Sequence, residues 1–511
     1  MDENACTSQS DVFAFLADPA AHGLGEPITR IDTHGAAVFL AGKDVYKVKR
    51  AVRYPFMDFS TLERRRLACE RELAVNRANA PDIYLGVVPI SRDGCRLKFG
   101  DGDVIEWAVH LRRFDENRTL DHLAERGSLN REIIAKLARA VALSHQRAEV
   151  IASADARQAL RGQIEETLTS LEAAPDIFAP QAASALRDAM SEAFARGESL
   201  LQEREKHGQV RRCHGDLHLR NIALVEGEPV LFDAIDFDER IATCDVLYDF
   251  AFLLMDLWTR GLRRNANLLF NRYLWICDDL EIQLKGLSLL PLFLSLRAAI
   301  RAKVAVLQPG GAADHAEEVR RLFEAACVFL VPAPARLELV AIGGLSGTGK
   351  SSLSASLADS IGRAPGAVHL RSDIERKRFY GAKEFDRLPN EAYRPQDSQR
   401  IYGRLRALAS LALSSGQSTI LDAVHFRPED RHAAEMVAAQ NNAHFTGLWL
   451  EAPLGTVKER VAQRTMDASD ATVEFVTAQA KHERGAIDWQ PLDASGSLEA
   501  TVAGALAAIL G

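Results

Sequence analysis

Hydrophobic and polar positions along the chain fall into three blocks. In the first, Ala36-Ala37-Val38-Phe39-Leu40 and Val45-Tyr46-Lys47-Val48-Lys49 predict two strands joined by the turn Gly42-Lys43-Asp44. Ser60-Thr61-Leu62-Glu63 fits the capping-box pattern, so a helix is expected from Ser60 to about Asn79, ending before Pro81. Residues 84–90 and 104–111 return to strand character. In the second block, residues 120–206 read as helical, broken once around Pro175 and Pro180. Ile222-Ala223-Leu224-Val225 and the run from Val230 to Phe237 are strand-like about a Glu226-Gly227-Glu228 turn, and residues 252–330 are helical again. Val331-Pro332-Ala333-Pro334-Ala335 then reads as a short stiff linker. Beyond it, Leu337-Glu338-Leu339-Val340-Ala341-Ile342 predicts a buried strand and residues 352–361 a helix. Further strands are expected up to Asp373, at Ser418-Thr419-Ile420-Leu421-Asp422-Ala423, and at residues 445–450. The expected organisation is a small lobe (1–115), a mostly helical large lobe (116–330), a linker (331–336) and a last domain (337–511).

A chain of 511 residues is too long for one core, in keeping with that division. The net charge of −8 argues against a duplex nucleic-acid binder, which needs clustered Lys and Arg. Seven cysteines, odd in number and without a CxxC pair, fit reduced thiols rather than disulfides or a zinc site. Met1-Asp2-Glu3-Asn4 is acidic where a secretion signal would be basic. The most apolar run, 287–296, stops at Arg297 and is too short to span a bilayer. A soluble, cytoplasmic protein is expected; nothing in the sequence sets an oligomeric state.

Two motifs carry chemistry. Gly344-Leu345-Ser346-Gly347-Thr348-Gly349-Lys350-Ser351 fits GxxxxGK[ST] without a mismatch, between a predicted strand and a predicted helix. Gly344, Gly347 and Gly349 let the backbone wrap a polyphosphate, with Thr348 and Ser352 alongside. Lys350 would reach the outer phosphates of ATP, and the Ser351 hydroxyl would hold Mg²⁺. The second motif is His214-Gly215-Asp216-Leu217-His218-Leu219-Arg220-Asn221, in which Asp216 and Asn221 have the D-x-x-x-x-N spacing of a phosphotransferase catalytic loop. One carboxylate accepts a hydrogen bond from the substrate hydroxyl, and an amide oxygen one turn later helps hold the metal.

With HGDxHxxN the chain resembles the aminoglycoside phosphotransferase and choline kinase group of the protein-kinase-like superfamily, over roughly residues 30–330. The resemblance implies an α+β, bilobal fold with Asp216 as catalytic base and Asn221 as a Mg²⁺ ligand. It implies one further metal-binding aspartate: Asp233 has the better distance from Asn221, Asp236 the better local context. It also implies a strand lysine that contacts the nucleotide phosphates, Lys47 with Lys49 second, and a helix glutamate that orients it, Glu72 with Glu70 second. Lys47 and Lys49 share a strand face, so direction does not choose between them. Asp249, in Tyr248-Asp249-Phe250-Ala251, resembles the group's structural aspartate, holding the catalytic loop. No GxGxxG is present to cover a nucleotide.

In the last block, Asp373-Ile374-Glu375-Arg376 places a carboxylate and an arginine at a strand's carboxyl end, where ligands of open α/β sheets gather. Asp373 there would take a proton from an acceptor hydroxyl, unless it simply caps the next helix. Asp422 ends a buried strand and suits Mg²⁺. Arg460 and Arg464, spaced i,i+4, are expected on one helix face. Residues 337–511 resemble the small P-loop kinases of the polynucleotide-kinase, gluconate-kinase and zeta-toxin kind, an α/β fold with a parallel sheet. Within that group they resemble the ATP-binding proteins fused behind an aminoglycoside-phosphotransferase-like domain. The resemblance implies Asp373 and Arg376 on the acceptor, Asp422 at the metal, and Arg460 and Arg464 in a lid closing on the phosphates. Asp467-Ala468-Ser469-Asp470-Ala471 resembles a lid motif with no role assigned. The function expected is a two-headed, ATP- and Mg²⁺-dependent kinase acting on hydroxyls of small molecules. In the alternatives, the P-loop domain is a nucleotide-dependent regulator or a polynucleotide 5′-hydroxyl kinase.

Overall fold

The computed structural model describes residues 9–510 apart from 55–56, 95, 153–154, 307–313, 333–335, 465–466 and 483. Cys6, Cys95, the first four residues and the middle of the expected linker lie outside the described residues. The chain divides into two compact units, 1–163 with 202–253, and 164–201 with 254–511. Among the described residues no helix is long and apolar enough to cross a membrane.

The first unit holds a six-stranded antiparallel sheet in the order Thr29–Asp32, Ala36–Ala41, Asp44–Lys49, Asp103–Arg112, Tyr84–Asp93, Arg96–Phe99. Period-two alternation sorts its residues. Phe39, Val48, Ile90 and Ala108 face one side, where Val12 and Leu16 of helix Gln9–Ala17 join them in a core. Lys47 and Lys49 therefore point to the other side, toward helix Leu62–Arg77. That helix begins one residue later than the capping-box pattern implies. Thr61, not Ser60, is its N-cap and accepts from the Arg64 amide. Ser60 donates instead, through both its amide and its hydroxyl, to the nearby Asp58 carboxylate, a local bond that outcompetes the cap. Helix Gln9–Ala17 and the edge strands Thr29–Asp32 and Arg96–Phe99 are additions to the sequence reading.

The second unit contains helices Arg263–Ile276, Leu280–Gly286, Leu290–Val306 and Ala316–Phe329, together with an α/β sheet. The sheet is five-stranded and fully parallel, in the order Val368–Arg371, Thr419–Asp422, Leu337–Gly344, Ala443–Glu451, Gln490–Asp493. Leu339, Val340, Ala341 and Ile342 in the central strand are all fully buried, as a strand covered on both faces must be. Helix Lys350–Leu357 begins two residues before the Ser352 expected, so Ser351 and Ser352 lie in its first turn.

Val368–Arg371 is an edge strand, and an uncovered edge is a template for unwanted pairing. Here the edge is closed by side chains. Asn267, Asn271 and Trp275 recur every fourth residue along helix Arg263–Ile276 and so stand on one face. Asn271 accepts from the His369 amide (2.7 Å) and donates to the Ala367 carbonyl (3.1 Å). Asn267 donates to the Pro365 and Ala367 carbonyls, and the Trp275 indole N–H to the His369 carbonyl (2.9 Å). Arg378 donates to the carbonyls of Leu274 and Trp275 near the end of the same helix. These helix side chains act as a surrogate sixth strand.

Candidate active sites

In the first unit the two strand lysines meet one buried helix carboxylate. Lys47 Nζ lies 2.9 Å from Glu72 Oε1 and 2.7 Å from Asp233 Oδ1, while Lys49 Nζ lies 2.6 Å from both Glu72 Oε2 and Asp236 Oδ2. Glu70 points away and pairs with Arg66. Burial works against the charge on Lys47, yet Asp233 and Glu72 carry its ammonium well above the usual lysine value. Burial likewise opposes ionisation of Glu72, but the two lysines hold its carboxyl at about 2. The side chain of Asp233 is 49% exposed and that of Asp236 only 11%, so the aspartates differ in access to solvent. Asp233 also sits at φ 59°, a left-handed conformation uncommon outside glycine, held by the Tyr84 hydroxyl on its amide and by Lys47.

The catalytic-loop candidate is fastened to the same place. Asp249, fully buried, accepts from the amides of His214 (3.3 Å) and Gly215 (2.8 Å) and lies 3.1 Å from His145 Nε2. Asn221 Nδ2 donates to the Asp216 carbonyl (3.0 Å) and to Asp216 Oδ2 (2.8 Å). Its Oδ1 has no protein donor among the described residues. His218 Nε2 is 3.3 Å from Asp216 Oδ2, and burial lowers the His214 imidazole, favouring its neutral form. The Ile235 amide donates to His214 O, and the Phe232 amide to Asn221 O. These bonds tie the segment carrying Asp233 and Asp236 to the loop carrying Asp216 and Asn221. Asp233, Asp236 and the Asn221 amide offer oxygen donors of the kind Mg²⁺ prefers, on two segments that these bonds tie together.

In the second unit the phosphate-loop candidate joins strand Leu337–Gly344 to helix Lys350–Leu357. Gly347 has φ 95°, and a Cβ there would stand 2.7 Å from Val461; Gly349 has φ 99° and opens onto empty space. Lys350 Nζ donates to the carbonyls of Gly344 (3.0 Å) and Leu345 (2.8 Å). A cavity of about 420 Å³ is lined by Gly347 to Ser352, with Asp373, Asp422, Arg460 and Arg464 around it. Gly344 is not in that lining; its Cβ position lies 2.7 Å from Leu450 O, so it serves close packing of the strand end. Arg464 lies past helix Leu454–Ala462 rather than on it, correcting the shared-face expectation. The chain leaves the helix after Ala462, yet still brings Arg464 to the same cavity as Arg460. The Ser351 hydroxyl has no partner among the described residues. Asp422 is 3.1 Å from His369 Nε2 and 3.5 Å from Arg371 Nε, and against burial those groups hold its carboxyl well below the usual range. An ionised carboxylate and an unpartnered hydroxyl at one cavity fit a Mg²⁺ site.

Asp373 is the second residue of helix Ser372–Phe379 and not its cap. It accepts no hydrogen bond from any described residue. Burial raises its carboxyl above the usual aspartate value, with Arg371 opposing and Asp422 adding to the rise. Asp373, with Ser346, Ser372, Val424 and Ser469, lines both the phosphate-loop cavity and a second cavity of about 390 Å³. Arg376 lines only the second. The sequence reading missed His369 and Arg371, which bear on Asp422, and left the 467–471 motif without a role. In the structure Asp467 takes a bond from Arg371, and Asp470 ties down Lys377, the Leu388 amide and the Tyr393 hydroxyl. The i,i+2 spacing of His369 and Arg371 on one strand face was the only signal that could have found them.

Burial lowers the Lys350 ammonium to about 8, with Asp422 and Asp373 opposing. A polyphosphate seated on the loop adds negative charge and raises it again. Above pH 8, binding of an ATP analogue is therefore expected to take up a proton and to weaken by up to about tenfold per pH unit. Calorimetry at pH 9 in two buffers of different ionisation enthalpy measures the uptake. The same uptake in Lys350→Met would contradict the assignment.

Profiles of known families match both parts of the chain. That of the phosphotransferase enzyme family covers residues 41–281, and that of an AAA domain residues 339–485. Among solved structures, a choline/ethanolamine kinase family protein from Mesorhizobium loti is 15% identical, over 63% of this chain and 98% of its own, with a TM-score of 0.37. A gluconokinase from Sinorhizobium meliloti is 19% identical, over 34% of this chain and 93% of its own, with a TM-score of 0.25. The uncharacterized protein Rv2004c of Mycobacterium tuberculosis is 30% identical over 484 residues, 92% of this chain and 93% of that protein. The chain belongs to the family of that mycobacterial protein, and in it a kinase-like phosphotransferase domain is followed in sequence by a P-loop kinase-like domain, as the two profile matches to this chain show.

Proposed function

We propose that the protein is a two-site phosphotransferase, each site passing the γ-phosphoryl group of ATP to a hydroxyl of a small molecule. The observation that carries the reading is the place of Asp373, in the wall shared by the phosphate-loop cavity and a second cavity. A nucleotide switch needs the first cavity only; a kinase needs both, with a proton acceptor where they meet. In the second unit, the loop amides, Lys350, Arg460 and Arg464 would hold the triphosphate. Ser351 and Asp422 would hold Mg²⁺, which neutralises charge on the phosphate oxygens. The acceptor oxygen bonds to the γ-phosphorus as the bridging P–O bond to ADP breaks, and Asp373 takes the hydroxyl proton. Its raised pKa makes it a better proton acceptor than an ordinary aspartate.

In the first unit Asp216 would do the same work. Lys47 or Lys49, oriented by Glu72, would face the phosphates, and Asn221 with Asp233 or Asp236 would hold the metal. Both reactions rest on positioning and charge neutralisation rather than on a covalent enzyme intermediate. ATP consumption in the presence of candidate acceptors tests the reading. Asp216→Asn is expected to abolish one product and Lys350→Ala the other. Loss of both products in either variant would show that the sites do not act separately.

A further inference from the structure

The second cavity contains a buried cation with no counter-ion among the described residues. Arg376 is 5% exposed and forms no ion pair with any described residue. Its Nη1 donates to the Ala392 carbonyl (2.6 Å), Nη2 reaches Ser398 Oγ (3.4 Å), and the guanidinium lies 4.7 Å from the Tyr393 ring centroid. Nε is buried without a partner. Every contact is thus to a neutral group, although an uncompensated buried charge is among the costliest features a fold can carry. Arg387 and Arg427, both exposed and neither in an ion pair with a described residue, line the same cavity.

The donor phosphates do not supply the missing charge. Arg376 is absent from the wall of the phosphate-loop cavity, where Lys350, Arg460 and Arg464 already stand. Nor do the cavity's carboxylates. Asp470 is saturated by Lys377, the Leu388 amide and the Tyr393 hydroxyl, and Asp373 stands at the junction with the donor site. Asp430, half-buried, is raised by burial, with Arg406 and Arg427 opposing. Together with Asn390 and Gln399, it offers partners for hydroxyls.

We infer that the acceptor of this site is a small polyhydroxylated anion, a hydroxy acid or a phosphate monoester, whose charged end sits on Arg376 with Arg387 and Arg427 at the mouth while one hydroxyl meets Asp373. The inference rests on the kinase reading of the same site and names its substrate class. A cavity of about 390 Å³ suits a molecule of sugar size.

The test uses the full chain carrying Asp216→Asn, so that only the second site turns over. Matched probes are glycerol, ribitol and glucitol, their carboxylates glycerate, ribonate and gluconate, and their monophosphates. Each is assayed for ATP-dependent phosphorylation and, separately, for a shift in melting temperature with a nonhydrolysable ATP analogue. At least one anionic member is expected to bind and react 10–100-fold better than its neutral partner. Arg376→Gln should remove that preference through KM, with partial recovery in Arg376→Lys. Arg387→Gln, on the exposed side and no threat to folding, should weaken the anion by roughly threefold to tenfold. The carboxylate and phosphate arms decide which anion is taken. Neutral members reacting as well as anionic ones would overturn the inference and leave the kinase standing. Arg376-dependent anion binding without any transfer would uphold the site but sink the kinase. No anion producing a melting shift overturns the inference outright.

Discussion

Replacing Asp373 with asparagine is expected to lower the turnover of the second site by about 10²- to 10⁴-fold while ATP still binds. Asparagine keeps the size and polarity of the side chain but cannot take a proton. Because Asp373 accepts no hydrogen bond from the described residues, the change breaks no contact that shapes the phosphate loop. Asp422 and Lys350, which do shape that end of the sheet, are untouched. The intact enzyme should also show an acid limb in kcat/KM that lies above the ordinary aspartate value of 3.8, since burial raises this carboxyl. The limb should vanish from whatever activity the variant retains. Full activity in Asp373→Asn, combined with an altered first-site rate in Lys350→Ala, would make the P-loop domain a regulator.

Glu72→Gln should have the largest effect on the first unit. Two buried ammonium groups lose the carboxylate between them, and removing one partner of a buried pair costs about 3–5 kcal/mol. The pKa gives a similar figure. A carboxyl at about 2 when folded and at its usual 4.5 when unfolded contributes about 3 kcal/mol at neutral pH. Since the folded value is depressed, that stability is fully present above about 4.5 and is lost as pH falls toward 2. The difference between wild type and variant should narrow over the same window. Amide hydrogen exchange across helix Leu62–Arg77 reads the loss directly, and first-site turnover should fall with it. Unchanged exchange at neutral pH would contradict the bridging role.

What could be read in the sequence was whatever sits close together in it. The phosphate loop is eight consecutive residues, and Asp216 and Asn221 lie within one turn, so their chemistry and their spacing are one observation. The central strand was legible as buried because it is apolar on both faces, while the parallel sheet around it came with the resemblance to small P-loop kinases. Lys47 and Glu72, 25 residues apart, were paired only through resemblance, which put Glu72 first and Glu70 second without a physical reason for the order. The choice is made by which helix face turns toward the strand. The Thr61 cap was misplaced by one residue because Asp58 competes for Ser60 from outside the capping-box pattern. Asn267, Asn271 and Trp275 went unread for a deeper reason. A polar residue every fourth position looks like a wetted helix face, and nothing nearby reveals that its partner is a strand edge about a hundred residues on.

That strand edge bears on how such a chain is inherited. Residues 263–276 lie within the stretch matched by the phosphotransferase family, yet their side chains complete the sheet of the P-loop kinase-like domain that follows. Loss of the catalytic-loop candidate would leave the need for Asn267, Asn271 and Trp275 in place, because the strand edge must still be covered. A copy of the gene starting after the linker would encode a sheet with one raw edge, prone to pair with its neighbours. A helix that the first family's profile includes thus belongs, by its hydrogen bonds, to the sheet of the second, and a cut between the two profiles would take the cover from that edge.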